Sequence, residues 1–215
     1  MGLRLNEGGA TLIEQLVSLL LGSLMIVLLY AYFRSEIFHS LALEAKTATL
    51  EDARGALDII ARDLRNAGSW GNGSAPPETG AADDPMNDAD TVCNRVYQAS
   101  PGVIHIQMDL NGNGNCADID PRESIRYELT GPTSTCPGPY IIRRNGDCLV
   151  AYVVPAVAGR IFTYFDRNGA EISNPPALET IKRVKIEFAV RAKNPDPKIA
   201  AYLSSALSSS VEFRN

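Results

Sequence analysis

Histidine is almost missing from this chain: there are two, His39 and His105. Neither has a serine, cysteine or carboxylate at a motif spacing, so the sequence offers no nucleophile–base pair and no histidine-rich metal site. Four cysteines are present, Cys93, Cys116, Cys136 and Cys148, and none forms a Cys-x-x-Cys pair. That argues against structural zinc. A basic surplus is lacking too: 20 Lys and Arg stand against 25 Asp and Glu, for a net charge of −5. Nucleic-acid binders usually carry a basic stripe, so no nucleic acid is expected as a primary partner. The basic clusters Arg143-Arg144 and Lys182-Arg183-x-Lys185 are not interleaved with aromatics and read as solvated strand edges. Gly8-Gly9 and Gly71-x-Gly73 lack the strand–glycine–helix context of a phosphate loop. Ser208 to Ser210 have no nucleophile-elbow glycines around them. Nothing here points to an enzyme.

Charge is also absent from Gln15 to Phe33, a run long enough to span a bilayer. One carboxylate, Glu14, sits at its head. On insertion scales a carboxylate costs roughly 2.5–3.5 kcal/mol at the bilayer centre. A plain anchor has no reason to keep one. A helix that leaves the bilayer to pack beside related helices does, because Glu14 can pair with the amine of a neighbouring subunit. That pairing needs a new N-terminus at Ala10, hence cleavage after Gly9. An ordinary secretory signal has a shorter apolar core with its small-residue cleavage site behind it. Here the Gly8-Gly9 pair precedes the run, so cleavage removes Met1–Gly9 and keeps the helix. Arg4 and Arg34 flank the run and leave its orientation ambiguous. An even number of cysteines beyond it favours disulfides, hence a domain outside the cytoplasm. Three pairings are possible, and closeness in sequence favours Cys93–Cys116 with Cys136–Cys148.

Gly8-Gly9-Ala10-Thr11-Leu12-Ile13-Glu14 followed by an apolar helix resembles the N-terminus of type IV prepilins and type II secretion pseudopilins. Gly9, Thr11, Leu12, Ile13 and Glu14 match that signature; Ala10 departs from it, since the family usually has an aromatic residue there. The resemblance implies cutting between Gly9 and Ala10 by a prepilin peptidase, methylation of the Ala10 amine, and docking through Glu14. Ala61 to Gly71 also resembles the end of the long helix in minor pilins of the PilW type.

Past Arg34 the helix is expected to continue. Leu50, Ala53, Leu57, Ile60 and Leu64 recur at spacings of three and four, an amphipathic seam, while Glu51, Asp52, Arg54, Asp58, Arg62 and Asp63 form a polar face. Gly68, Gly71 and Gly73 supply the stop. One helix of roughly 55 residues follows, roughly 80 Å long. Gly22-Ser23 is a weak point within it. Residues 72–92, rich in Gly, Pro, Asn and Asp, read as a surface loop. Strands are expected at 103–108, 124–129, 140–144, 148–154, 160–165, 184–191 and 208–213. Asn145-Gly146 and Asn168-Gly169 are hairpin signals. A long helix followed by strands is an α+β arrangement, with an antiparallel sheet wrapped on the helix's stripe. The domains are a leader 1–9, a transmembrane and assembly helix 10–33, its amphipathic continuation 34–68, and a β-rich periplasmic or extracellular head 69–215.

One loop has metal-ligand spacing. Asp109, Asn111, Asn113 and Asp120 supply side-chain oxygens at the first, third, fifth and twelfth positions, Gly114 is sixth, and Asn115 offers its carbonyl at the seventh. That is the calcium-loop pattern. Asp120 in place of a bidentate Glu, Ala117 at the ninth position and the cysteine at 116 depart from it, and flanking strands rule out a true EF-hand. The competing reading is a polar hairpin loop whose Asn and Gly residues permit positive φ. Any calcium would bind weakly, on the order of 0.1–1 mM.

Three functions are open at this point. The first is a minor pilin, a structural subunit that helps assemble or initiate a type IV pilus. The second is a minor pseudopilin of a type II secretion system. The third is a tip-located module that binds surfaces or captures DNA, which the acidic balance disfavours. For the first two the expected partners are other pilins or pseudopilins through the N-terminal helix, the prepilin peptidase and the inner-membrane assembly platform. The expected location is a single-pass protein of the bacterial inner membrane with a periplasmic head, which then passes into the filament.

Overall fold

The computed structural model describes residues 11–69, 95–112, 120, 122–172, 178–196, 199 and 201–213. The fold is α+β. Helix α1 runs unbroken from Leu12 to Asn66, 55 residues. Gly22-Ser23 does not interrupt it; the Ser23 hydroxyl donates to the Leu20 carbonyl at 2.8 Å. At its far end the Ala67 N–H reaches back to the carbonyls of Asp63 and Leu64, and Gly68 adopts φ +73°. Only glycine enters that left-handed region without a steric penalty, which is why the helix stops here. The surface-loop reading of residues 72–92 lies outside the described residues.

Eight strands follow: β1 (Val96–Ser100), β2 (Val103–Gln107), β3 (Ser124–Thr130), β4 (Tyr140–Arg144), β5 (Asp147–Pro155), β6 (Phe162–Phe165), β7 (Arg183–Lys193) and β8 (Tyr202–Glu212). They form one antiparallel sheet. β5 and β6 lie end to end along one edge of β7, facing Phe188–Val190 and Arg183–Ile186 in turn. β8 lines the other edge over its whole length. β5 ends at Pro155, which has no N–H to continue the ladder. Asn145 (φ 49°) and Gly146 (φ 89°) make the expected tight β4–β5 turn. Asn168-Gly169 makes only a turn, closed by an isolated Phe165–Glu171 bridge. Cys136 and Cys148 are disulfide-bonded, with Cα atoms 6.0 Å apart. Cys93 and Cys116 lie outside the described residues.

Two strands depart from expectation. β1 was not expected at all, because in Val96-Tyr97-Gln98-Ala99-Ser100 the two strand formers Val96 and Tyr97 are followed only by small and polar residues. β8 begins at Tyr202, well before 208, because its serines have low strand propensity and are held by the full pairing with β7. β7 alternates as its sequence requires, with Val184, Ile186, Phe188, Val190 and Ala192 buried.

The helix seam meets this sheet. Ala53, Ile60 and Leu64 are wholly buried, joined by Ala56, Leu57 and Ala61, against β5, β7 and β8. The three alanines let the helix axis approach the sheet closely. Asp63 does not sit on the polar face. It is buried, and its Oδ2 accepts from the Tyr127 hydroxyl at 2.6 Å and from Arg144 Nη2 at 3.0 Å. Arg144 Nε adds a third bond to the same oxygen at 3.1 Å. So Arg144 is a partner of the helix and no solvated strand edge, while Arg143 donates to the Gly146 carbonyl. Burial and then the bond to Asp63 raise the Tyr127 pKa, so the phenol remains a donor.

Removing one partner from a buried polar network costs more than the bond itself, because the others lose solvation without replacement. Tyr127→Phe should lower stability by about 1–3 kcal/mol, and Asp63→Ala by about 3 kcal/mol. Both should appear as lower urea midpoints at unchanged slope. Midpoints equal to the parent's would show that the network contributes nothing.

Candidate functional site

The first half of α1 is bare. Leu12, Leu19, Ile26 and Tyr30 are 80%, 71%, 68% and 66% exposed, and no large apolar residue from Leu12 to Phe33 is covered by the head. Its most apolar 18 residues have a mean hydropathy of 2.3, so it is long and apolar enough to cross a membrane. Residues 12 to 33 rise roughly 33 Å, about the hydrocarbon thickness of a bilayer.

Glu14 lies in the first turn of this helix. Thr11 is the N-cap, and its hydroxyl oxygen accepts from the Glu14 N–H at 3.4 Å. Thr11-x-x-Glu14 is therefore capping-box spacing, a signal the apolar run obscured in the sequence. The positive end of the helix dipole further favours a carboxylate in the first turn. Among the described residues no cation lies within ion-pair distance of Glu14. Gly9 and Ala10 lie outside the described residues.

In the head, the first residues of the 109–120 segment, Asp109 to Gly112, are held by a residue that spacing alone did not pick. Glu123 is wholly buried; its Oε1 accepts from the N–H groups of Leu110 and Asn111 at 2.8 Å, and its Oε2 from Asn111 Nδ2 at 3.2 Å. Asp109 Oδ1 accepts from the Gly112 N–H at 2.6 Å. Asp120 takes a fork from Arg122, Nε to Oδ1 at 2.9 Å and Nη2 to Oδ2 at 2.6 Å. These bonds hold its pKa down at about 2. Asn113 and Asn115 lie outside the described residues. Among the described residues no group of three or more His, Cys, Asp or Glu is arranged to hold a metal. The donor set thus fits calcium poorly at its twelfth position, where Arg122 already neutralises the carboxylate. We expect millimolar calcium to leave the melting temperature unchanged relative to EDTA; an upward shift that Asp109→Asn abolishes would reinstate the calcium site.

His105 on β2 is packed edge-on to Tyr97, and its Nε2 is 2.8 Å from the Ser124 hydroxyl. Burial, and then the nearby charge of Arg126, lower its pKa to about 4. It therefore stays neutral in the folded protein at mild acidity while an unfolded chain takes up a proton. Stability should fall as pH drops from about 6.5 towards 4 and level off below. The full effect is on the order of 2–3 kcal/mol after allowance for partial exposure. In His105→Gln that part of the pH slope should vanish from urea titrations; an undiminished slope would assign it to other groups.

No protein-family model, curated protein or solved structure matches this chain.

Proposed function

We propose that this chain is a minor pilin, a structural subunit of a type IV pilus assembly. One observation carries the reading: an uninterrupted helix whose apolar half is left bare by its own head and begins with a lone carboxylate. A bare apolar cylinder needs lipid or other helices around it. In lipid, Glu14 near the helix start bears a desolvation cost that the cap and dipole offset only in part. In a bundle of like helices that cost is met by a cation, and the free amine of a neighbour cut before Ala10 supplies one.

Assembly then follows from the energetics. The peptidase hydrolyses the Gly9–Ala10 bond and frees the Ala10 amine, which the family resemblance implies is methylated. The subunit waits as a single-pass protein with its head beyond the membrane. It is drawn out along the helix axis as Glu14 exchanges lipid for a neighbour's amine and the apolar face exchanges lipid for helix. The second half of α1 carries the head at a fixed distance from the bundle because its seam is buried in the sheet. A type II secretion pseudopilin would work by the same steps in a different machine.

Co-expression with a prepilin peptidase, followed by intact mass measurement, tests this. We expect loss of Met1–Gly9 and addition of one methyl group, and we expect Glu14→Ala to be cut and inserted normally yet to be depleted from sheared filaments. An uncut N-terminus beside an active control peptidase would leave only an anchored domain.

A further inference from the structure

A second feature lies at the other end of the molecule, independent of the helix. The turn after β6 and the adjoining ends of β7 and β8 enclose a pocket of about 200 Å³ lined by Asp166, Arg167, Gly169, Lys182, Arg183, Glu212 and Phe213. Phe213 is buried and its N–H donates to the Lys182 carbonyl at 2.9 Å, which ties β8 to the start of β7. The Arg95 guanidinium lies 5.8 Å from the centre of the Phe213 ring, and the Arg95 side chain packs on Gly68 at the end of α1. The pocket is thus level with the far end of the helix, roughly 80 Å from Thr11.

Several basic side chains of the head pair with carboxylates: Arg144 with Asp63, Arg160 with Glu171, Lys185 with Glu187, Arg122 with Asp120. Arg167, Lys182 and Arg183 converge on one cavity, and among the described residues none of them makes an ion pair or a side-chain hydrogen bond. Lys182 and Arg183 are half-buried, so water screens them less than an open surface would. Arg183 is also restrained: its guanidinium lies over the Phe165 ring, 4.6 Å from its centre. The Arg167 backbone is set by a turn in which Asp166 Oδ1 accepts from the N–H groups of Asn168 and Ala170, both at 2.8 Å. Oδ1 is thus engaged in shaping the turn, while Asp166 keeps its negative charge at the pocket wall. Glu212, opposite Arg183 across the β7–β8 ladder, is the second acidic group, so the lining sets three cations against two carboxylates.

We propose that Arg167, Lys182 and Arg183 form a binding site for a phosphate-type oxyanion. Two guanidinium forks and an ammonium suit tetrahedral oxygens, since each gives a short charge-assisted bond. Glu212 weakens a bare dianion and accepts from a protonated oxygen or a ligand hydroxyl, which favours a monoanion or a hydroxyl-bearing phosphate ester. The phosphate can come from a soluble compound or from a lipid headgroup on a facing surface. The membrane that holds the protein's own helix is excluded as its source by distance.

The test uses the full chain in nanodiscs, titrated calorimetrically with inorganic phosphate at low salt. Binding with a Kd of about 1 mM or tighter is expected. Arg183→Gln and Lys182→Gln should each weaken it about ten-fold, and Glu212→Gln should tighten it, a gain that misfolding cannot produce. Capture of separate phosphatidylglycerol vesicles, lost in Arg183→Gln, would assign the site to a lipid-borne phosphate. Phosphate binding without vesicle capture would assign it to a soluble one. Absence of phosphate binding up to about 10 mM, or binding indifferent to all three variants, would overturn the proposal.

Discussion

The head depends on burying one narrow stripe of α1. Leu57, Ile60 and Leu64, with the alanines between them, are the core against which the sheet closes, and among the described residues no second α-helix covers the sheet's inner face. That constraint explains the strand pattern. β7 must alternate because one face meets the stripe and the other meets water, and β8 is drawn into register along all of β7 even though most of its residues are small or polar. Asp63 makes the contact specific. Apolar side chains alone would tolerate a helix rotated or slid along its axis, whereas a buried carboxylate is accommodated only where Tyr127 and Arg144 meet it.

The two halves of the helix therefore differ in what covers them. Its second half is amphipathic and spends its apolar side on the head. Its first half is apolar all round, and no single-faced packing can satisfy it. On the proposed reading the bare half lies in lipid or in a bundle, and the Glu14 carboxylate is the group whose solvation changes most between them. The pocket at Phe213 stands at the opposite pole, so a ligand there and neighbours along the helix would not compete for the same surface.

Much of this was legible beforehand. The helix length, its stop near Gly68, its seam, the alternation of β7 and the Asn145-Gly146 turn all follow from local periodicity and from residues whose backbone preferences are strong. Glu14 was conspicuous because a charge beside an apolar run stands out whatever the fold. β1 and the start of β8 were not legible, because their strand character comes from neighbours and not from their own residues. The calcium spacing was legible, but the hold of Glu123 on Leu110 and Asn111 was not, since it lies beyond the motif and acts largely through backbone N–H groups.

By itself, then, the sequence determined the α+β class, the division of α1 into an apolar and an amphipathic half, and the position of the lone carboxylate, because each depends on spacing within a few turns. Only the tertiary structure decided which charges are paired. Asp63 looked solvent-facing until partners 64 and 81 residues away were brought to it. Lys182-Arg183-x-Lys185 looked like one basic cluster, yet Lys185 is neutralised by Glu187 while Lys182 and Arg183 turn with Arg167 onto a common cavity. Pairing depends on distances of a few ångströms between strands distant in sequence, and no local pattern encodes those distances.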